Sequence, residues 1–207
     1  NNKKNKETIM NLPKHLLPTT VVGSYPQPEW LVDRAMLSKV VPRTRMHAMW
    51  RLPAEHLEEA QDDATIVAIR DMERAGIDIV TDGEQTRRHF VTTFIEQLDG
   101  VDFANRRTVR IRNRYDADVP VVTGAVSRRG PVFVDDARFL RSATDRRVKV
   151  TLPGPMTMVD TLYDAHYRSR EKLAWAFAEI LNAEAREIAA TGVDVIQFDE
   201  PAFNVFF

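Results

Sequence analysis

Two stretches of the sequence, residues 76–84 and 192–200, place acidic side chains directly after a short apolar run. They align residue for residue, so that Glu84 falls on Glu200, which follows Asp199. Such a run predicts a buried strand, and in α/β folds ligands bind at the carboxyl ends of parallel strands. Two carboxylates at strand ends are what a buried ammonium group needs to offset its lost hydration. We therefore expect Glu84 and Asp199 to meet at one edge of a sheet and bind a positively charged nitrogen.

Residues 19–28 form a third candidate segment, in which threonines and valines run into Gly23, Ser24 and two prolines. β-Branched residues followed by glycine and proline predict a strand that stops at a tight loop. Gly23 lets a backbone amide approach a ligand, and Ser24 adds a hydroxyl group. An ordinary turn after a strand fits the same residues, so the pattern leaves both interpretations open.

The spacing of apolar residues predicts two long helices, over residues 57–72 and 173–188, each followed by a glycine suited to a helix end. Ser169 is the expected cap of the second helix. Residues 146–152 predict a further buried strand that stops at a Pro-Gly-Pro corner. The order is therefore strand, helix, strand, excursion, strand, helix, strand. This order is typical of a parallel α/β fold, most economically a (β/α)8 TIM barrel.

The excursion covers residues 99–123 and alternates apolar with basic side chains, which predicts a basic β-hairpin. The hairpin is either an exposed surface element without a binding role or a site for anions. Its basic residues are Arg106, Arg107, Arg110, Arg112 and Arg114. After it, residues 124–130 are expected to form a turn and residues 132–140 a helix or a strand.

Arg87, Arg88 and His89 follow the first acidic stretch. Two arginines beside two acids fit a solvated ion-pair face, and they also fit a charged pocket rim that orients an amino-acid substrate. Both interpretations stay open at this point. The loop histidines have no partner at metal-ligand spacing, so we expect surface or packing roles for His47, His56, His89 and His166.

The composition excludes several classes of function. The 207 residues carry 29 basic and 30 acidic side chains, and a net charge of -1 gives no reason to expect nucleic acid as a partner. The sequence has no cysteine, which removes disulfides and the usual thiolate ligands of zinc. No stretch approaches the length of a membrane span, so we expect no membrane partner and a cytoplasmic location.

Residues 1–17 begin polar and lysine-rich, which predicts a disordered tail and a connector. Residues 18–207 contain four predicted parallel strands, whereas a closed barrel has eight strands and typically about 250 residues. We therefore expect residues 18–207 to form the N-terminal part of a single barrel, about its first half. A missing barrel half or a second copy of the chain is then needed to cover the open strand edges.

Four motifs follow one another along the chain: TTVVGSYPQ at residues 19–27, DGE at 82–84, LPGPMT at 152–157 and IQFDEPA at 196–202. In order and spacing they resemble the catalytic domain of cobalamin-independent methionine synthase. The uroporphyrinogen decarboxylase superfamily shares the fold and is the broader alternative. The resemblance implies a barrel enzyme that moves a methyl group onto the thiol of homocysteine to form methionine. Zinc would bind that thiol and make its thiolate available.

The same resemblance implies which residues bind homocysteine. Three match the segment that holds the carboxylate end of the amino acid, and two match the acids that hold its ammonium group: Val22, Gly23 and Ser24, then Glu84 and Asp199. The family's zinc ligands and catalytic histidine lie in later strands. The resemblance therefore places the zinc ligands beyond Phe207, and it assigns no catalytic or metal-binding residue to this chain.

The resemblance leaves the methyl donor open. Thr161 stands where the family has a tryptophan, and Tyr115 and Asp116 stand where it has an Arg-Cys pair, so a donor other than a folate polyglutamate is an open alternative. Two other functions stay open. One is a superfamily enzyme that transfers an alkyl group to another thiol or decarboxylates a porphyrin, and the other is an inactive fragment that binds an amino acid without metal.

Overall fold

The structure is a computed structural model that describes residues 17–37, 49–111 and 115–203. Its helices and strands in these ranges are, in chain order, α1 (Arg34–Leu37), α2 (Ala54–Arg74), β1 (Ile79–Val80), α3 (Thr92–Ile95), β2 (Leu98–Ile111), β3 (Tyr115–Arg128), α4 (Val134–Ser142), β4 (Arg147–Pro153), α5 (Pro155–Asp160), β5 (Tyr163–Asp164), α6 (Arg170–Ala189) and β6 (Val195–Asp199). The predicted tail lies outside the described residues apart from Leu17.

Strands β1, β4 and β6 lie side by side in chain order, and each neighbouring pair is parallel. A single parallel bridge pairs Thr20 with Ile79 of β1, so the segment around Thr20 lies beside β1 at the edge of the sheet. The first strand predicted from residues 19–28 is reduced to this bridge, because the chain then leaves the sheet and exposes 70% of Val22. The parallel α/β arrangement predicted from the sequence is confirmed.

The two faces of β4 have different surroundings because side chains alternate along a strand. Val148, Val150 and Leu152 are buried in one continuous core with apolar residues of α2, α4 and α6. Lys149 and Thr151 lie on the opposite face and are also buried. We call this side of the sheet, carried by Lys149 and Thr151 of β4 and Gln197 of β6, the polar face.

Helices α2 and α6 confirm the two predicted amphipathic helices and their ends. Gly76 and Gly192 follow them with φ of +78° and +88°, a conformation in which a glycine has no steric cost. Ser169 caps α6, since its hydroxyl accepts a hydrogen bond of 3.3 Å from the amide of Lys172. Residues 132–140 were expected to form a helix or a strand, and helix α4 shows that most of them are helical. None of the helices in the described ranges is long and apolar enough to cross a bilayer.

Strands β2 and β3 confirm the predicted hairpin as an antiparallel pair of 14 residues each. The prediction of a turn at residues 124–130 was wrong, because β3 continues through this segment as far as Arg128. Gly124, at the start of that segment, instead lies beside a bulge at Gly100, whose φ is +82°. A Cβ at Gly100 would lie 2.5 Å from the carbonyl oxygen of Ala125, so the register requires glycine there. Arg112 and Arg114 lie outside the described residues.

Candidate functional site

The loop after β1 presents Glu84 at the carboxyl end of the parallel sheet. Glu84 has a φ of 56°, a backbone conformation that is uncommon outside glycine, and only 6% of the residue is exposed. The hydroxyl of Ser24 donates a hydrogen bond of 2.5 Å to Glu84 Oε2. A backbone bond of 3.0 Å from the amide of Tyr25 to the carbonyl of Gly83 holds the two loops together. Two of the residues predicted from the sequence are therefore in direct contact.

Asp199 ends β6 at the same edge of the sheet. Its carboxylate accepts a hydrogen bond of 2.5 Å from the side-chain amide of Gln197. The register pairs Asp199 with Pro153 of β4, and its carbonyl accepts a bond of 2.8 Å from the amide of Gly154. The charge of Asp199 acts on Glu84 across the sheet. The two predicted acids therefore lie at the same edge of the sheet, close enough for the charge of Asp199 to raise the pKa of Glu84.

The pKa of Glu84 is raised above its ordinary value, and burial is the largest cause. The guanidinium of Arg87 and the hydrogen bond from Ser24 act in the opposite direction, whereas the charges of Asp82 and Asp199 raise the pKa further. A buried carboxylate beside other carboxylates is stabilised by any cation that enters the site. This edge of the sheet is therefore suited to an ammonium group.

Val22 and Gly23 lie on the open side of the same loop. Val22 is one of the more exposed apolar residues, and a Cβ built at Gly23 would meet no atom within 4 Å. Gly23 has a φ of +81°, so the backbone turns sharply before Ser24. The backbone of this loop is therefore accessible to a small molecule beside Glu84.

The two arginines after the acidic loop are not solvated. Arg87 is 3% exposed, donates to Asp82 at 3.2 Å and to the Thr151 carbonyl at 2.7 Å, and lies 4.1 Å from the centre of the Phe133 ring. The side chain of Arg88 is 9% exposed and pairs with Glu96. The interpretation as a solvated ion-pair face was therefore wrong, because both guanidinium groups are buried against acids of the protein.

Both arginines line a cleft of about 520 Å³, with residues 24–27 on its other side. This position is compatible with the alternative interpretation, a charged rim beside the site. Its role in orienting a substrate stays a prediction.

Glu200, which aligns with Glu84 in the two acidic stretches, has a different role from Glu84. The carboxylate of Glu200 accepts bonds of 2.8 Å from the amides of Met156 and Thr157, and one of 2.7 Å from the Thr157 hydroxyl. It also packs so close to Gly154 that a Cβ at that position would overlap it. Glu200 therefore fixes the corner between β4 and α5, and it does not face the site as Glu84 does.

Sequence reasoning missed Lys149, which lies on the polar face of the sheet. The residue is 2% exposed, and its Nζ donates to the Val21 carbonyl at 2.9 Å and to the side-chain oxygen of Gln197 at 2.7 Å. Burial lowers the pKa of Lys149, and the charge of Asp199 opposes that shift. One signal was present in the sequence, since Lys149 is a charged residue between two valines in a buried strand.

The described residues do not offer a metal site. No group of three or more His, Asp or Glu side chains among them is arranged to hold an ion, and the sequence has no cysteine. The Nδ1 atom of His89 accepts from the amides of Val91 and Thr92, which is a packing role. His47 lies outside the described residues.

A parallel α/β sheet with two acids and a hydroxyl at the carboxyl ends of its strands has the arrangement in which α/β proteins bind small ligands. Comparison with known families gives a more specific class. Residues 17–205 match the family described as "Cobalamin-independent synthase, Catalytic domain". The chain belongs to this family.

The similar proteins include methionine synthases of archaea and bacteria. The Sulfolobus acidocaldarius enzyme is 36% identical over 190 residues, which are 91% of this chain and 53% of the relative. The Thermococcus kodakarensis enzyme is 34% identical over 194 residues, or 93% and 54%. This chain therefore spans about half the length of the relatives it matches.

Solved structures give the same result. A B12-independent methionine synthase from Shewanella sp. W3-18-1, in complex with selenomethionine, is 58% identical with a TM-score of 0.80. The match covers 93% of this chain and 54% of that one. A putative vitamin-B12 independent methionine synthase from Listeria monocytogenes has a TM-score of 0.58 at 20% identity, covering 88% and 51%, and shares the fold.

Proposed function

We propose that this chain forms the amino-acid-binding part of a cobalamin-independent homocysteine methyltransferase, which produces methionine. The observation that carries the proposal is the meeting of Ser24, Glu84 and Asp199 at the carboxyl end of the parallel strands. Family membership and the similarity to archaeal methionine synthases support the same activity. The Shewanella relative binds selenomethionine, which is a close analogue of the proposed product.

In this proposal the ammonium group of homocysteine lies between Glu84 and Asp199, where it offsets the repulsion of two carboxylates. The backbone of Val22, Gly23 and Ser24 receives the carboxylate end, while the Ser24 hydroxyl keeps its hydrogen bond to Glu84. The exposed side of this loop supports that orientation, because its backbone is open to a ligand. The thiol then projects away from the sheet, toward a methyl donor whose identity stays open.

The family resemblance implies zinc, which would supply a thiolate at neutral pH. The described residues do not fit a zinc site, and we assign them no part in holding the metal. We propose that zinc ligands lie outside residues 1–207. The tasks of the described residues are to bind and orient the amino acid.

We further propose that the parallel strands form the first part of a (β/α)8 barrel, within a single domain that begins near residue 18. Within the described ranges β6 pairs only with β4, and Phe198 on β6 remains 47% exposed. A strand with one open edge and an exposed phenylalanine is suited to pair with a further barrel strand or a second copy of the chain. The cytoplasmic location expected from the sequence stays a prediction.

The two alternative functions make different demands on the site. A porphyrin substrate carries several carboxylates, which Glu84 and Asp199 would repel, so the proximity of these acids favours an amino-thiol substrate. An inactive binding module needs the same acids and no metal. Zinc analysis of the whole natural protein separates this module from an enzyme, which requires about one zinc per chain.

Calorimetry of the whole natural protein with homocysteine tests the proposed function. Asp199→Asn and Glu84→Gln keep the shape of each side chain and remove its charge, so each is expected to weaken binding about tenfold to hundredfold. Asp135→Asn is the matched control, because Asp135 is an exposed acid on α4 with a side chain 92% accessible. Unchanged affinity in both site variants would refute the assignment. A loss of bound zinc in either variant would instead make that acid a metal ligand.

A further inference from the structure

We propose that Lys149 is a positioning residue that holds the two halves of the amino-acid site in register. It binds the backbone just before the Val22–Ser24 loop and, through Gln197, orients the carboxylate of Asp199. The inference deepens the proposed function and rests on it. Lys149 itself is not assigned a contact with the substrate.

The geometry of Gln197 carries the first step. An ammonium group has hydrogen-bond donors and no acceptor, so the bond of 2.7 Å from Lys149 Nζ requires the side-chain oxygen of Gln197 to face the lysine. The amide nitrogen of Gln197 must then face the other way. There it donates a bond of 2.5 Å to Asp199 Oδ1. Lys149 thus fixes the orientation of Gln197, and Gln197 fixes one oxygen of Asp199.

The second step concerns the loop that precedes Ser24. This segment is attached beside β1 through Thr19 and Thr20, which hydrogen-bond to Asp78 and Ile79. Lys149 adds an attachment one residue later, with a bond of 2.9 Å to the carbonyl of Val21. The same nitrogen therefore links segments that are 128 and 48 residues away along the chain.

The burial of Lys149 supports a role beyond packing. A buried ammonium is costly, and an apolar side chain of similar length often stabilises a core as well or better. The charge of Asp199 opposes the effect of burial on the lysine, so the two groups interact. A core built only for stability would not need this charge.

The two hydrogen bonds that run from Lys149 through Gln197 to Asp199 are called the relay below. Binding experiments on the whole natural protein test it. Lys149→Met and Gln197→Leu are each expected to weaken homocysteine binding about tenfold, as for a lost bond to a charged group. The double variant is expected to bind no more weakly than either single variant, because both break one relay. Lys172→Met, on the exposed side of α6, is the control and is expected to bind as the wild type does. Wild-type affinity in Lys149→Met, or additive losses in the double variant, would overturn the inference.

A second measurement needs no substrate. NMR titration of the Lys149 side chain is expected to show a lower pKa in Asp199→Asn than in the wild type, because the carboxylate that supports the ammonium is gone. An unmoved titration would overturn the relay. If the wild-type protein fails to bind homocysteine, the proposed function fails, and this titration still decides whether the relay exists. If Lys149→Met does not fold, wild-type affinity in Gln197→Leu would also overturn the inference.

Discussion

Glu84 is the residue on which the site depends most. It combines burial, a positive φ and the proximity of two other carboxylates, each of which is unfavourable for folding. Strained and perturbed residues cluster at functional sites, because stability is lost there in favour of a fixed geometry. A bound ammonium group would offset both the burial and the repulsion. The features that destabilise Glu84 in the free protein therefore favour ligand binding.

The hydrogen bond from Ser24 to Glu84 is expected to affect the pH dependence of binding. The pKa of Glu84 is raised, so homocysteine affinity is expected to fall as the pH drops through a value above the ordinary range of glutamic acid. The fall of affinity at low pH is the acid limb of the binding curve. The hydrogen bond from Ser24 lowers the pKa of Glu84, so Ser24→Ala should move this limb to still higher pH. In Glu84→Gln the part of the limb due to Glu84 should disappear. Calorimetric titrations at several pH values measure the shift, and an identical limb in wild type and Ser24→Ala would contradict it.

At the scale of elements, one buried glutamate joins the hairpin to the helical layer. Glu184 of α6 is fully buried and accepts from Arg128 at the end of β3 and from the amides of Val132 and Phe133. Arg128 also pairs with Glu187 one helical turn later, which is 43% exposed. The base of the long hairpin is thereby anchored to α6.

These two glutamates form a matched pair for a stability test. Glu184→Gln is expected to lower the free energy of unfolding by about 3 kcal/mol, because it leaves buried donors and a buried charge without their partner. Glu187→Gln removes an exposed contact with the same arginine and should cost less than about 1 kcal/mol. Chemical denaturation of the whole natural protein measures both values. Equal losses would show that Glu184 does not anchor the hairpin.

At the scale of the molecule, the strands of the parallel sheet are arranged in the order in which the strands of a barrel follow one another. The Thr20 bridge, β1, β4 and β6 follow one another in space as they do in sequence, all parallel. Helices α2 and α6 connect successive strands on one side, and the polar face lies on the other. In the proposed barrel the polar face becomes the interior, which would explain why Lys149 and Gln197 lie there.

Phe198 tests this arrangement. It is 47% exposed in the described part of the chain, and a further barrel strand beside β6 would bury it. Phe198→Asp is then expected to destabilise the whole natural protein by about 2–4 kcal/mol. Val67→Asp is the control, since Val67 is 49% exposed on α2 and should cost less than about 1 kcal/mol. Similar small effects in thermal or chemical denaturation would count against a strand beside β6.

The sequence by itself determined the types of the main elements and their order. Helix periodicity, terminal glycines and apolar runs are local signals, and α2, α6, β1, β4 and β6 lie where those signals predicted them. It also placed Glu84 and Asp199 at strand ends, because acids that follow a buried strand in an α/β fold emerge at its carboxyl edge.

Only the tertiary structure decided which of the charged residues share a site. Glu84 and Glu200 align in the repeat, yet one faces Ser24 and the other fixes the start of α5. Arg87 is buried against Asp82, and Lys149 reaches a carbonyl 128 residues away. These partners are set by side-chain contacts between distant segments, which local periodicity does not encode. Burial and pairing of charges are properties of the assembled sheet, so they follow only from the fold.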